Sequence, residues 1–143
     1  MAAKSRHRAR ALLIKALYQW QLAGHDYDVL IAQYSALAEF ERIDQDYFRA
    51  LLRHVLDDYE SLDRTIAAFA VRKLDQLDAV GRAILLVALA ELKHRADVPT
   101  KVAINEGIEL AKRYGAADSF RFVNAVLDKA AKDLRGHDGR RTG

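Results

Sequence analysis

The chain has 143 residues, of which 51% are hydrophobic and 30% are charged, and it contains no cysteine. This length fits one domain with a substantial core, and the missing cysteines exclude a disulfide framework, thiol chemistry and cysteine-ligated metals. No apolar run is long enough to cross a membrane and no signal-peptide pattern precedes the first helix, so we expect a cytoplasmic protein.

The formal net charge of +3 hides an uneven distribution of charge along the chain. The first 25 residues contain no acid but carry five cations, namely Lys4, Arg6, Arg8, Arg10 and Lys15. The following stretch, from Asp26 to Asp63, is predominantly acidic. A basic arm that leads into an apolar helix favours a polyanionic ligand, and nucleic acid is the first choice because cation–phosphate contacts release counterions. Five such contacts to single-stranded RNA would give a log–log salt slope of about −3.5.

The first helix is predicted from about Ser5 to Ala23, ending at Gly24. On a helical wheel of about 100° per residue its apolar side collects Ala9, Leu13, Ala16, Leu17 and Trp20. The opposite side, which should face solvent or a ligand, collects Lys4, Arg8, Lys15 and Gln19. Arg6 and Arg10 point the same way as Leu13 and Leu17. Because cations without partners cannot be buried, we expect both arginines to project past the bundle or to stay disordered until a ligand binds.

Helical spacing continues through the rest of the chain, which has one proline and seven glycines. The predicted helices cover about 27–37, 44–59, 61–69, 78–94, 99–114 and 118–136, with Ser61 as an N-cap, Pro99 at a first helical position and Gly115 as a left-handed C-terminal cap. A connecting turn over 73–77 would divide an N-terminal bundle (about 11–72) from a C-terminal bundle (about 73–135). The basic arm (1–10) would precede them, and a frayed tail (136–143) would follow.

The predicted fold class is therefore all-α, with two small helical bundles packed as one compact domain over 1–143. The helix over 78–94 is apolar almost all round, so it either lies at the centre of the core or covers a partner surface. Within 99–114, Asn105 and Glu106 interrupt the apolar pattern. We expect this amide and this carboxylate to be buried and to tie helices together, rather than to act in catalysis.

Three segments, in order along the chain, resemble the NusB family of transcription antitermination factors. They are RHRAR followed by ALYQWQ in the first helix, LDAVGRAILLVALAEL in the central helix, and DVPTKVAINEGIELAKRYGAADSFRFVNAVLDKAA over 97–131. The chain departs from the family pattern at Gly81, where a charged residue is often found, and at Leu86 and Ala90, where an Arg and a Tyr are common. These departures concern the contact with a protein partner.

The resemblance implies an all-helical pair of bundles that binds boxA-type RNA. It also implies a partner, the small-subunit ribosomal protein that doubles as NusE, within an antitermination complex on RNA polymerase. Family members include monomers and homodimers, so a homodimer is possible here. The residues implied for RNA binding are Lys4, Arg6, Arg8, Arg10, Lys15, Tyr18, Tyr114, Asp118 and Phe122. Those implied for partner binding are Gly81, Arg82, Leu85 and Leu86.

Three of these residues also have structural interpretations. Tyr18 either stacks an unpaired base or lies at the rim of the core. Asp118 either accepts a hydrogen bond from a base edge or caps the last helix through its carboxylate. Phe120 and Phe122 lie about 200° apart on their helix. Phe120 is nearer the apolar stripe, so we expect Phe122 to be exposed.

Two other functions remain open from the sequence. One is a NusB-like module of the kind found beside RNA methyltransferase domains, and the other is a helical protein–protein adaptor. The chain has no glycine-rich nucleotide loop, no nucleophile elbow and no metal-binding His pair. His54 lies one turn from Asp57 and Asp58, which is typical of a surface ion pair. We therefore expect no enzymatic activity, no cofactor and no metal.

Overall fold

The computed structural model describes residues 2–70 and 77–142, with side chains over 3–70 and 77–136. Its helices are α1 (Ala2–Ala23), α2 (Tyr27–Ser35), α3 (Gln45–Phe69), α4 (Ala79–His94), α5 (Thr100–Tyr114) and α6 (Ser119–Thr142), with a 3₁₀ segment at Ala38–Arg42 between α2 and α3. No strand occurs among these residues. The all-helical fold class is thereby confirmed.

Aspartate side chains begin three of the helices. The carboxylate of Asp26 accepts the amide of Val29 at 3.0 Å, Asp44 accepts the amide of Tyr47 at 3.1 Å, and Asp78 accepts the amide of Gly81 at 2.7 Å. Each contact satisfies an amide that has no partner within its own helix. Gly24, which ends α1, has a φ of +72°, a left-handed conformation that costs glycine little.

Helix α3 is continuous where two helices were predicted. Ser61 lies inside it and is not an N-cap. The reason is that Leu62 and Ile66 extend the buried stripe of Leu51 and Val55, so the apolar face is not interrupted at residue 60.

Other helix boundaries also differ from the prediction. Helix α2 ends at Ser35, before residue 37, and Pro99 is the N-cap residue of α5 instead of its first helical residue. Gly115 ends α5 in an extended conformation, with φ −83°, so it is not the predicted left-handed cap. Helix α6 continues past a kink at Gly136, where φ is +35°. The predicted turn and bundle boundary at residues 73–76 lie outside the described residues, as do the side chains of the tail beyond 136.

Helix α4 lies at the centre of the core. It packs against α1, α3, α5 and α6, and every residue from Ala83 to Leu92 is buried. Of the two interpretations of this apolar helix, burial within its own chain is confirmed. Helix α5 packs closely on this centre at Gly107, where a Cβ atom would lie 2.8 Å from Leu127 Cδ1 and 3.4 Å from the Ala88 Cβ.

A single arginine on α6 completes the C-terminal end of α4. The Arg135 guanidinium donates hydrogen bonds to the carbonyl oxygens of Glu91, Leu92, Arg95 and Val98, at 2.6–3.0 Å. These carbonyls belong to the last turn of α4 and to the loop that follows it. The side chain of α6 thus supplies donors that the helix end lacks.

A buried ion pair joins α1 to α4. Arg10 is 3% exposed and Glu91 is fully buried, and the Arg10 Nε lies 2.8 Å from the Glu91 Oε2. The hydroxyl of Tyr47 donates a hydrogen bond to the same carboxylate oxygen. The Arg10 Nη1 atom donates to the Glu106 Oε1 atom at 3.3 Å. Burial and the adjacent Glu91 carboxylate raise the pKa of Tyr47, which therefore keeps its proton and acts as donor.

The prediction that Arg10 leaves the core is therefore wrong, because two acids and a tyrosine supply the partners that burial of a cation requires. Arg6 is also docked. It is half-buried, its guanidinium lies 3.6 Å from Asp44 and 3.2 Å from Asp97, and it stacks over the Tyr47 ring at 4.2 Å. The first turns of α1 are thus held against the start of α3 and the loop before α5.

Replacing Arg10 with alanine should lower the free energy of unfolding by about 3–5 kcal/mol, because Glu91 would remain buried without its counterion. The loss should be larger at pH 8 than at pH 5. Burial already raises the pKa of Glu91 against the opposing effect of Arg10, and removing Arg10 raises this pKa further. The folded variant then holds a proton that the unfolded chain has released, so its stability falls as pH rises.

Urea denaturation at the two pH values measures this difference. The control is Arg8→Ala, an exposed cation on the same helix, which should change the unfolding free energy by less than about 0.5 kcal/mol. Equal losses at pH 5 and pH 8 would show that the effect comes from lost packing and not from the Glu91 charge.

Candidate nucleic-acid interface

The outer face of α1 presents three exposed cations. Lys4, Arg8 and Lys15 are all exposed, as the helical wheel predicts. Lys15 makes only a long contact of 4.0 Å to Glu39, and both side chains are at least half exposed. Gln19 differs from the prediction, because it is half-buried and bonds to His25, Gln33 and Tyr34.

Two tyrosines belong to this exposed surface. Tyr18 is 42% exposed and lies three residues beyond Lys15 on α1, and Tyr114 is 39% exposed at the end of α5. Of the two interpretations of Tyr18, its exposure fits an available aromatic face better than a residue at the rim of the core. Its predicted role in RNA binding stays a prediction.

A second group of cations surrounds aromatic rings where α5 meets α6. Lys112 Nζ lies 5.2 Å from the ring centroid of Phe120, and the Arg121 guanidinium lies at the same distance from that ring. The Arg113 guanidinium lies 5.6 Å from the centroid of Tyr114. Alternating cations and rings of this kind can bind phosphates and stack bases.

Lys112, Arg113 and Arg121 were not among the residues predicted from the sequence. The signal was the Lys-Arg-Tyr run at the end of a predicted helix. Cations at that position also complement the helix dipole, so the run alone does not distinguish a binding site from an ordinary helix end.

The start of α6 corrects two predictions. Phe122 is half-buried and packs against the core, as Phe120 does, so it is not the exposed member of the pair. Asp118 has a φ of +65°, and its carbonyl oxygen accepts the amide of Arg121 at 3.1 Å. Its carboxylate is 78% exposed and lies 3.8 Å from the Arg121 guanidinium. The carboxylate therefore faces solvent.

A groove connects the two basic regions. It has a volume of about 430 Å³ and runs between α1, the 3₁₀ segment and α5. Arg8 lines one side, while Arg113 and Tyr114 line another. The structure thus brings the arm and Tyr114 together across about a hundred residues of sequence. Arg42, which was not among the predicted site residues, is exposed in the same groove.

The residues predicted for partner binding offer little surface. Leu85 and Leu86 are fully buried, and Gly81 is buried beside Leu77. Arg82 is one-quarter exposed and forms a two-pronged ion pair with Asp63, at 2.6 and 3.0 Å. The prediction that the two leucines contact a partner is wrong, because the four helices packed around α4 cover them.

Of the two polar residues predicted to be buried within α5, one behaves as predicted and the other does not. Glu106 is half-buried and contacts His7 at 2.7 Å as well as Arg10, so it ties α5 to α1 as predicted. Asn105 is exposed, so its predicted burial is wrong. Asp58 pairs with His94 and Lys93, each at 2.8 Å, while His54 stacks on the His94 ring at 4.9 Å.

Neither a metal-binding cluster nor a membrane-spanning helix is found in the described part of the chain. No cluster of three or more His, Asp or Glu side chains there is arranged to hold a metal ion. None of the helices over 2–70 and 77–142 has the length and apolar character needed to span a bilayer.

Fold and surface together define an all-helical protein with a basic, aromatic face. The NusB family model matches residues 7–132, and the chain therefore belongs to the NusB family of transcription antitermination proteins. It is 47% identical over 131 residues to the transcription antitermination protein NusB of Alcanivorax borkumensis, with 92% of this chain and 87% of that protein covered. It is also 47% identical over 135 residues to the protein of that name from Pseudoalteromonas translucida, with 94% of this chain and 99% of that protein covered. The solved structure of T. maritima NusB superposes with a TM-score of 0.82 at 30% identity, covering 95% and 96%.

The left-handed conformation of Asp118 separates its backbone role from its side-chain role. Asp118→Gly should change the free energy of unfolding by less than about 0.5 kcal/mol, because two effects oppose each other. Glycine adopts this φ without strain, which stabilises the folded state, but it also loses more entropy on folding. Asp118→Val should lower it by about 1–2 kcal/mol, because a β-branched side chain is strained there. Thermal or urea unfolding of the two variants checks both values. Equal stabilities for Gly and Val would contradict the assigned backbone conformation.

Proposed function

We propose that this NusB-family chain is an RNA-binding factor that holds boxA-type single-stranded RNA on its basic, aromatic face. It does so together with the small-subunit ribosomal protein that acts as NusE, in an antitermination complex on RNA polymerase. The observation that carries the proposal is the groove that joins the exposed cations of α1 to Tyr114. The protein acts by binding alone, because the combined surface of protein, partner and RNA is what the polymerase meets.

Fewer cations are available to the RNA than the five that the sequence places in the arm and first helix. Arg10 is neutralised inside the protein, and Arg6 is engaged by two aspartates. Lys4, Arg8 and Lys15 remain exposed on α1. Three phosphate contacts to single-stranded RNA contribute about −2 to the log–log salt slope, which is less than the −3.5 of a five-cation arm. Any steeper slope would come from the cations around Tyr114.

The acidic stretch explains why RNA would stay on one face. Several of its carboxylates on α2 and α3 are exposed, including Asp28, Asp46, Asp57 and Glu60. Like charges raise the energy of a phosphate backbone near these helices. The basic side of α1 and the junction of α5 with α6 are left as the favourable track.

We propose that the partner protein binds where the end of α1 meets the start of α4. Leu22 is 66% exposed there, and its neighbour Gln21 donates a hydrogen bond to the Ala79 carbonyl, which joins the two helix ends. Arg82 adds a partly exposed cation. Arg82 also donates a hydrogen bond to Gln21 at 3.3 Å, so this arginine lies near the exposed leucine, and arginine is enriched at protein interfaces. This placement replaces Leu85 and Leu86 as the proposed contact.

The triple variant Lys4→Ala, Arg8→Ala, Lys15→Ala should bind boxA-type RNA at least tenfold more weakly at about 0.1 M salt. Its log–log salt slope should be shallower by about 2, because three counterion-releasing contacts are lost. Fluorescence anisotropy of labelled RNA across several salt concentrations measures both quantities.

The matched control removes the same charge elsewhere, through Arg64→Ala, Lys129→Ala and Lys132→Ala, all at exposed positions that do not line the groove. It should keep most of the wild-type affinity. Adding the ribosomal partner should tighten RNA binding by the wild-type protein. An unchanged slope in the α1 variant would remove this helix from the RNA contact.

Tyr18→Ala should weaken RNA binding by about 1–3 kcal/mol through loss of a stacking surface, whereas Tyr18→Phe should bind almost as tightly as the wild type. Both substitutions are at a side chain that is 42% exposed, so the fold should tolerate them. The same anisotropy titration provides the measurement. Loss of affinity in the phenylalanine variant would indicate that the hydroxyl, and not the ring, makes the contact.

A further inference from the structure

The groove between α1, the 3₁₀ segment and α5 has a chemistry more specific than a basic track. Three arginines line it, Arg8, Arg42 and Arg113, and none forms an ion pair with another residue in the described part of the chain. Two carboxylates, Glu39 and Glu109, line the same space. A surface that only attracted phosphates would have no use for these acids, because they weaken the attraction.

The acids are not consumed by neighbouring lysines. Glu39 lies 4.0 Å from Lys15, and Glu109 lies 3.8 Å from Lys112. These are long contacts between side chains that are at least half exposed, and pairs of this kind are worth little. Both carboxylates are therefore available to accept hydrogen bonds from a ligand.

The remaining lining gives the groove an apolar floor and an aromatic wall. Leu110 and Ile43 are buried core residues at its base, and Tyr114 presents its exposed ring. A ligand that matches this lining has an anionic group, a flat ring and hydrogen-bond donors on the edge of that ring. A nucleotide has all three, whereas an acidic peptide has no ring-edge donors and would be repelled by the glutamates.

We propose that this groove holds one unstacked nucleotide of the bound RNA and prefers a base with an exocyclic amino group to uracil. This inference rests on the proposed RNA-binding function. The arginines take the flanking phosphates, Tyr114 stacks the base, and Glu39 and Glu109 accept from its amino group. Cytosine and uracil are of the same size, but cytosine carries an amino donor where uracil carries a carbonyl oxygen, which a carboxylate repels. The groove is thus a specificity-determining element of the RNA site.

The test is a substitution scan of boxA-type RNA in which each cytosine in turn is replaced by uracil. With wild-type protein, one position should show a loss of affinity of about tenfold. With Glu39→Gln, Glu109→Gln, the loss at that position should shrink to about twofold or less, because an amide can donate to the uracil carbonyl as readily as it accepts from cytosine. Anisotropy titrations at one salt concentration give the ratios directly.

The control is Glu41→Gln, Glu60→Gln, which makes the same change in charge at exposed glutamates outside the groove, one of them in the same 3₁₀ segment as Glu39. It should retain the tenfold discrimination. Arg42→Ala should weaken binding of the cytosine and uracil RNAs equally and leave their ratio unchanged, because it contacts phosphate.

Two failures can be told apart. If RNA binding depends on Lys4, Arg8 and Lys15 but no position distinguishes cytosine from uracil, the nucleotide site is overturned and the proposed function stands. If the Glu39→Gln, Glu109→Gln variant still distinguishes cytosine from uracil by about tenfold, the nucleotide site is likewise overturned and the proposed function stands. If the wild-type protein does not bind the RNA at all, with or without the ribosomal partner, both proposals fail.

Discussion

The orientation of α1 depends on the buried pair formed by Arg10 and Glu91. Hydrophobic burial is not directional, so the leucines of α1 alone would tolerate some rotation about the helix axis. An arginine that must reach one carboxylate in the core allows much less. Arg8 is two residues away and therefore points about 200° from Arg10, out of the protein. The buried ion pair thus determines the direction in which the exposed cations of α1 point.

Desolvating two charges costs several kcal/mol per ion, so the pair survives only with a complete set of partners. Tyr47 is central to this arrangement. Its hydroxyl donates a hydrogen bond to Glu91, and its ring centroid lies 4.2–5.5 Å from the guanidinium groups of Arg6, Arg10 and Arg95. Asp97 is held by Arg95 and Arg6, and hydrogen bonding to Arg95 lowers the pKa of Asp97. The cations of the arm therefore divide into an inner set, which fixes the position of the helix, and an outer set, which is exposed to solvent.

Most of the fold could be predicted from local patterns. Helical spacing located each of the six α-helices, although it divided α3 in two and did not predict the 3₁₀ segment. The wheel also identified Lys4, Arg8 and Lys15 as exposed. The errors arose where a distant partner decides the outcome. Arg10 is buried because of Glu91, 81 residues away, and Leu85 and Leu86 are covered by helices from both ends of the chain.

One signal for the ion pair was present in the sequence. Glu91 is the single acid in the helix AVGRAILLVALAELKH, and it follows a run from Ala83 to Ala90 that is apolar on every side. A carboxylate at a position that is certain to be buried requires a cation from elsewhere, and an arginine on the apolar side of another helix is the complementary signal. Neither observation alone names its partner. The groove that joins Arg8, Arg42 and Tyr114 has no such local signal, because it exists only once three elements are packed together.

Arg135 has a consequence for the order in which the structure is completed. Its guanidinium bonds to carbonyls that precede it by 37–44 residues in the chain. During synthesis, the end of α4 and its following loop leave the ribosome well before Arg135 does, at a rate of roughly 5–20 residues per second. For that interval the carbonyls of Leu92 and Val98 lack the Arg135 donor, whereas those of Glu91 and Arg95 can still accept the backbone amides of Arg95 and Val98. The C-terminal end of the central helix is therefore completed only after this part of α6 has been translated, which makes its closure later than the folding of α4 itself.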